Sequence, residues 1–144
     1  HEVPNIVGVK DAAGNPYETA KLVRDAPAGF EVLSGDVGLT LPLLAVGAVG
    51  VIGVSTHWTS RDHVEMFDAW DRGDVATARD VNQRMLESFV FETGDLTPNP
   101  IPTKAMLRTL GWNVGQCRLP IGDAPDWVEP RAREVWNNLV VARG

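Results

Sequence analysis

Only one cysteine, Cys117, occurs in the chain. A lone cysteine excludes an intramolecular disulfide and fits a reducing compartment, so a cytoplasmic location is expected. There is no paired Cys/His set, which leaves a zinc site without support, and no metal is expected. No apolar run reaches the roughly 18 residues that suggest a membrane span, and no signal-peptide pattern opens the chain. Lys/Arg-rich runs are missing and the formal net charge is -6. Nucleic acid and anionic membranes are therefore not expected as partners. Tyrosine is nearly absent, with Tyr17 the single example.

What remains is the composition of a soluble globular protein, 44% hydrophobic and 22% charged over 144 residues. That length suits one domain or a piece of a larger one. The first residue is His1 rather than Met, and a strand pattern begins within a few residues. The expectation is a fragment, or one part of a longer protein.

Hydropathy alternates between strand and helix through the first half. Ile6–Val9 reads as a short strand covered on both faces, as in a parallel sheet. Pro16–Arg24 follows as a helix, with Tyr17, Ala20, Leu22 and Val23 available for packing. Phe30–Leu33 is a second strand, and Leu39–Val46 an apolar helix with Pro42 in its first turn. Val49–Val54 is a third buried strand. Thr59 and Asp62 have capping-box spacing for the next helix, with Val64, Met66, Phe67 and Trp70 as its apolar face.

The second half is helical throughout. Gly73 ends one helix and Asp74 caps the next, where Ala78, Val81, Met85 and Phe89 recur every three or four residues. Thr97–Pro102 is a rigid connector. A helix over Thr103–Leu110 stops at Gly111, and a last helix around Pro130–Val141 presents Ala132, Trp136 and Leu139/Val140. The expected organisation is three β-α units over 1–72 and a helical region over 73–144. Strand–helix alternation implies right-handed crossovers and a parallel sheet. Three strands leave both outer edges unpaired, so further strands are expected from elsewhere.

Parallel strands place their exits on one rim, where α/β proteins bind ligands. Those exits are Lys10-Asp11, Ser34-Gly35-Asp36 and Ser55-Thr56-His57. A lysine amine desolvated among Val7, Val9 and other interior groups shifts toward its neutral form. It can then attack a ketone or aldehyde to form a Schiff base. The resulting iminium acidifies the adjacent carbon–hydrogen bond, which begins aldol-type chemistry. The alternative is a lysine solvated or paired with Asp11. Ser34-Gly35-Asp36 can donate backbone N–H groups to a polar ligand, or can be a plain turn. Gly47, Gly50 and Gly53 do not have dinucleotide or Walker spacing, so close packing is their expected role. His57 and His63 are expected to be structural, and the five tryptophans core or interface anchors.

Taken together, the chain resembles the C-terminal half of the dihydrodipicolinate synthase family. The resemblance rests on Asn5-Ile6-Val7-Gly8-Val9-Lys10-Asp11-Ala12, Leu33-Ser34-Gly35-Asp36 and Gly47-Ala48-Val49-Gly50-Val51-Ile52. Asn99-Pro100-Ile101-Pro102-Thr103-Lys104, Leu107-Arg108-Thr109-Leu110-Gly111 and Arg118-Leu119-Pro120 extend it. It implies strands six to eight of a (β/α)8 TIM barrel with a C-terminal helical extension. It further implies condensation of pyruvate with aspartate semialdehyde in lysine biosynthesis, without a cofactor, by a homotetramer. On that resemblance Lys10 matches the Schiff-base lysine. Ile52 matches a residue whose backbone lies against bound pyruvate, and Gly35 a glycine lining the same pocket.

Several family features have no counterpart in the sequence. The glycine–threonine–threonine–glycine–glutamate segment, the relay tyrosines and the substrate arginine are missing, and Ser55-Thr56-His57-Trp58 departs from the usual exit of the eighth strand. N-acetylneuraminate lyase and other 2-keto-acid aldolases share the barrel and the lysine, so such an aldolase is the alternative enzyme. A noncatalytic half-barrel is the alternative outside enzymes. The chain by itself is expected to be inactive.

Overall fold

The computed structural model describes residues 3–94 and 96–144. The chain divides into two compact units, His1–Gly53 and Val54–Gly144. The first is a three-stranded parallel sheet with helices. Its strands are β1 (Gly8–Asp11), β2 (Glu31–Ser34) and β3 (Gly50–Val51), in the order β1-β2-β3. Helix α1 (Pro16–Asp25) connects the first pair; a 3-10 turn (Val37–Leu39) and α2 (Thr40–Leu44) connect the second.

Local chemistry accounts for these connections. Asn15 caps α1 by accepting from the Tyr17 and Glu18 N–H groups, and Pro16 fills the first turn, where its missing donor costs nothing. Pro42 falls in the first turn of α2. Gly47 has φ +103 and leaves no room for a side chain: a Cβ there would lie 2.7 Å from Val23 Cγ1. Close packing is thus the reason for that glycine.

The register pairs Gly8 with Glu31, Val9 with Val32, Lys10 with Leu33 and Asp11 with Ser34, then Leu33 with Gly50 and Ser34 with Val51. Partners in register share a sheet face. Val32 and Ser34, on one face, are buried. The other face carries Lys10, Glu31 and Leu33, and there the expectation of burial on both sides fails. Lys10 is exposed, and Ile6 and Ile52 are 59% and 48% exposed. Among the described residues of this unit no helix covers this face, and its apolar side chains are left exposed. Nor do β1 and β3 have an outer strand partner there.

In α1 the packing residue is Thr19, 1% exposed, whereas Tyr17 and Leu22 point outward. Thr19 is drawn inward by a polar contact that hydropathy does not register. Strand β3 is also shorter than expected, because ladder pairing ends at Val51.

Among the described residues the second unit packs four helices: α3 (Thr56–Asp71), α4 (Val75–Thr93), α5 (Ile101–Thr109) and α6 (Val128–Arg143). Helix α3 starts before the expected capping box, so Thr59 and Asp62 lie inside it, where both are buried. Thr59 Oγ1 bonds back to the Ser55 carbonyl at 2.8 Å. The buried stripe runs Trp58, Thr59, Asp62, His63, Met66 and Ala69, and Val64 is exposed. Helix α4 meets expectation: Gly73 has φ +77, Asp74 accepts from the Thr77 N–H, and Ala78, Val81, Met85 and Phe89 are buried. In α6 the buried residues are Val128, Ala132, Val135 and Leu139, with Val140 outward. Of the tryptophans Trp58 is buried and Trp112 is 65% exposed.

Asp62 joins three helices of this unit. Its carboxylate accepts from Arg84 Nε at 2.9 Å and Arg143 Nη2 at 2.6 Å, and Arg84 also pairs with Glu65. Burial alone would push the Asp62 carboxyl up; the Arg143 hydrogen bond and the charges of Arg143 and Arg84 outweigh it and hold the group below the usual carboxylate range.

Candidate active site

Lys10 is the next-to-last residue of β1. Strand alternation turns its side chain to the uncovered face and that of Asp11 to the opposite one. An open depression on that face is lined by Asn5–Lys10, Glu31, Leu33 and Ile52. Lys10 and Ile52, distant in sequence, are thereby brought together. The link is the ladder itself: Ile52 N–H donates to the Ser34 carbonyl at 2.8 Å, continuing β3 past its last paired residue.

Asp11 does not pair with Lys10. Its Oδ2 accepts from Thr19 Oγ1 at 2.6 Å and its Oδ1 from the Ala13 N–H at 3.0 Å. The Thr19 hydrogen bond, helped by the Ala13 amide and opposed by slight burial, holds its carboxyl below the ordinary value. Desolvation of Lys10, expected from a strand buried on both faces, is not found in this chain: its side chain is exposed. Thr19 gave no sequence signal beyond its position on α1.

Gly35 lies at the exit of β2, outside the lining of the depression. Its N–H donates to the Asp11 carbonyl at 2.7 Å. A Cβ on Gly35 would approach Ala12 Cβ to 2.7 Å and the Asp11 carbonyl oxygen to 2.9 Å, so only glycine lets the two strand exits lie this close. Ser34 Oγ donates to the Asp36 carbonyl at 2.6 Å, and the Asp36 carboxylate accepts from the Gly38 N–H at 2.9 Å. The Ser34-Gly35-Asp36 loop is therefore a capped turn in this structure.

The histidines sit in the helical unit. His57 Nδ1 lies 2.7 Å from the Val54 carbonyl. His63 is buried beside the Phe67 and Phe89 rings, with Nδ1 3.0 Å from the Thr59 carbonyl. Burial lowers its pKa, offset in part by the Thr59 carbonyl and the Asp62 charge. Among the described residues no three His, Cys, Asp or Glu side chains are grouped to hold a metal ion, and no helix is long and apolar enough to cross a membrane.

Residues 1–135 match the model of the dihydrodipicolinate synthetase family. The 4-hydroxy-tetrahydrodipicolinate synthase of Nostoc sp. strain PCC 7120 is 41% identical over 138 residues, covering 96% of this chain and 46% of the relative. That of Listeria welshimeri is 42% identical over 122 residues, covering 85% and 41%. The dihydrodipicolinate synthase of Cyanidioschyzon merolae, solved with lysine bound, superposes with a TM-score of 0.87 at 36% identity, covering 96% of this chain and 46% of that one. A sialic acid aldolase of Ruminococcus gnavus superposes equally well, 0.87, but at 18% identity, which is a likeness of fold alone. The chain spans about half the length of the curated relatives it matches. With residues 1–135 inside the family model, the chain belongs to the dihydrodipicolinate synthetase family.

Proposed function

We propose that this chain supplies the Schiff-base half of a 4-hydroxy-tetrahydrodipicolinate synthase, with β1, β2 and β3 as strands six, seven and eight of a (β/α)8 barrel. Residues 1–72 are then its three β-α units, and 73–144 its helical extension. The observation that carries the reading is the uncovered sheet face, where Lys10 stands at a strand exit beside Leu33 and Ile52. In a complete barrel this face lines the interior. The remaining strands would exclude water from Lys10 and favour its neutral, nucleophilic form.

The chemistry then follows from the amine. Lys10 Nζ attacks the ketone carbon of pyruvate, and loss of water leaves an imine. The protonated imine withdraws electrons, so a methyl proton of pyruvate is lost and an enamine forms. Its carbon attacks the aldehyde of aspartate semialdehyde, forming the carbon–carbon bond. Attack of that substrate's own amine on the imine carbon releases Lys10 and closes the ring. No step needs a metal or an organic cofactor. The Ile52 backbone and Gly35 are proposed to line the pyruvate pocket, and the working enzyme to be a cytoplasmic homotetramer.

Treatment of the full-length protein with pyruvate and borohydride should leave a mass adduct on the Lys10 peptide, and Lys10→Ala should abolish it without unfolding the protein. An unmodified Lys10 peptide in the full-length enzyme removes the reading. A second reading, a related pyruvate-dependent aldolase, is motivated by Ser55-Thr56-His57-Trp58 at the start of α3, which departs from the family's usual residues after the eighth strand. Assay of aspartate semialdehyde against sugar-acid aldehydes separates the two.

A further inference from the structure

On the open face of the sheet, Gly8 and Lys10 of β1 stand beside Glu31 and Leu33 of β2. Gly8 is in register with Glu31 and Lys10 with Leu33, so Glu31 and Lys10 occupy diagonal corners. Strand spacing and rise put diagonal Cα atoms roughly 8 Å apart. Both side chains are exposed, both line the same depression, and their charges are opposite. Leu33 and the nearby Ile52 offer no polar side-chain group to either. Gly8 leaves its own corner empty: a Cβ there would lie 3.3 Å from the Glu31 Cβ, against that side chain. No side chain of β1 therefore stands on this face between the Glu31 carboxylate and Lys10. Open to water, the two charged ends need no partner, and among the described residues neither forms an ion pair.

We propose that Glu31 is the counter-ion of the protonated imine that forms on Lys10, set one diagonal away on the same sheet face. The inference rests on the Schiff-base reading of Lys10 and on coverage of this face by the rest of the barrel. A carboxylate taken out of water beside Leu33 and Ile52 is costly to keep charged without a nearby cation. Among the described residues lining the depression, Lys10 is the one cationic side chain. The amine and the imine share one nitrogen, so the charge that Glu31 faces persists from ammonium to iminium. It disappears when the methyl proton leaves and the neutral enamine forms. Glu31 is thus a positioning residue that acts through Lys10, keeping the imine in the protonated form that withdraws electrons. Desolvation draws the free amine toward neutrality and Glu31 opposes it, so together they set the pH range in which Lys10 reacts. The acids at the strand exits are engaged elsewhere: Asp11 accepts from Thr19 on the opposite face, and Asp36 accepts from the Gly38 N–H. Strand β3 carries no titratable side chain.

The test uses the full-length protein and the pH profile of pyruvate–cyanoborohydride trapping at Lys10, read by peptide mass. Cyanoborohydride reduces the protonated imine to a stable secondary amine. The acid limb of the profile therefore reports the amine losing its proton, and the alkaline limb the imine losing its own. Glu31→Gln keeps the side-chain shape and removes the charge. Both limbs should move down by about one unit, the size of effect expected when an opposite charge at this range is lost. Glu31→Asp retains the charge, and both limbs should stay at their parental positions. A purely structural role would lower the height of the profile without moving it. Should the glutamine variant fail to fold, Glu31→Ala removes the same charge and reads the same shift.

A parental profile in Glu31→Gln overturns the proposal and assigns the Glu31 carboxylate to solvent or to another cation of the barrel. Limbs that move up overturn it as well. So does an equal shift in Glu31→Asp and Glu31→Gln, which would trace to shape rather than charge. Failure of the Schiff-base reading is distinguishable, because the parent protein would then give no Lys10 adduct at any pH.

Discussion

In the helical unit a buried carboxylate, Asp62, sits between two guanidinium groups, whereas in the sheet unit an amine, Lys10, stands exposed with no ion-pair partner among the described residues. The contrast extends to apolar surface. Met66, Met85, Met106 and Val135 are fully buried among the four helices, whereas Ile6 and Ile52 on the sheet meet water. Both units belong to one family match. The helical unit closes its own core, so it can hold a charge cluster that would be costly unpaired. One face of the sheet unit lacks a covering layer, and the candidate chemistry lies on that face. Satisfied groups stabilise; an unsatisfied amine can react.

The largest expected effect breaks the helical side of this comparison. Asp62→Ala leaves Arg84 and Arg143 without their shared carboxylate and should lower stability by about 3–5 kcal/mol, measured by urea denaturation. A loss under 1 kcal/mol would make the cluster ornamental. Next, Met66→Ala should cost about 2–5 kcal/mol through an unfilled cavity, read in the same experiment.

The pH dependence of the helical unit follows from His63 and Asp62. Both have folded-state pKa values below their unfolded ones, so the unfolded chain binds more protons in each window. His63 therefore contributes full stability above about pH 6.5 and loses it as pH falls through its lowered value. The limit is about 1.4 kcal/mol per pH unit for one group. Asp62 repeats the pattern below about pH 4. His63→Gln should flatten the first slope and leave the second, as read from thermal melts between pH 7 and pH 3.

The smallest effect belongs to the sheet. Ile6→Ser should change the stability of this chain by less than about 0.5 kcal/mol, because the side chain is already exposed. In the full-length protein the same substitution should cost about 1.5–3 kcal/mol if the barrel covers this face. Equal effects in the two contexts would mean that the face stays open.

Much of this arrangement is legible along the chain. The strand–helix alternation, the parallel sheet, the Asp74 cap, the Gly73 stop and the buried stripe of α4 are local patterns, and local patterns are written in consecutive residues. Lys10 is proposed as nucleophile on a lysine near a strand end and on the family markers around it; the structure adds that its side chain is exposed. Other features depart from the local pattern for identifiable reasons. Thr59 and Asp62 imitate a capping box, but α3 has already begun at Thr56, and packing makes both residues interior. Val64 and Val140 are apolar yet outward, while Thr19 is polar yet buried by its bond to Asp11.

The sequence by itself determined the order of elements, their periodicities and the family, because each depends on residues close together or on their order. Tertiary structure decided the pairings: Asp11 with Thr19, 8 residues on; Asp62 with Arg84, 22 on; and Asp62 with Arg143, 81 on. It also decided that Lys10 and Ile52 share one depression, and that this depression opens to solvent. The physical reason is that hydropathy records which side chains prefer burial. The partner that satisfies a buried charge, and the surface left without a cover, depend on segments brought together only when the chain folds.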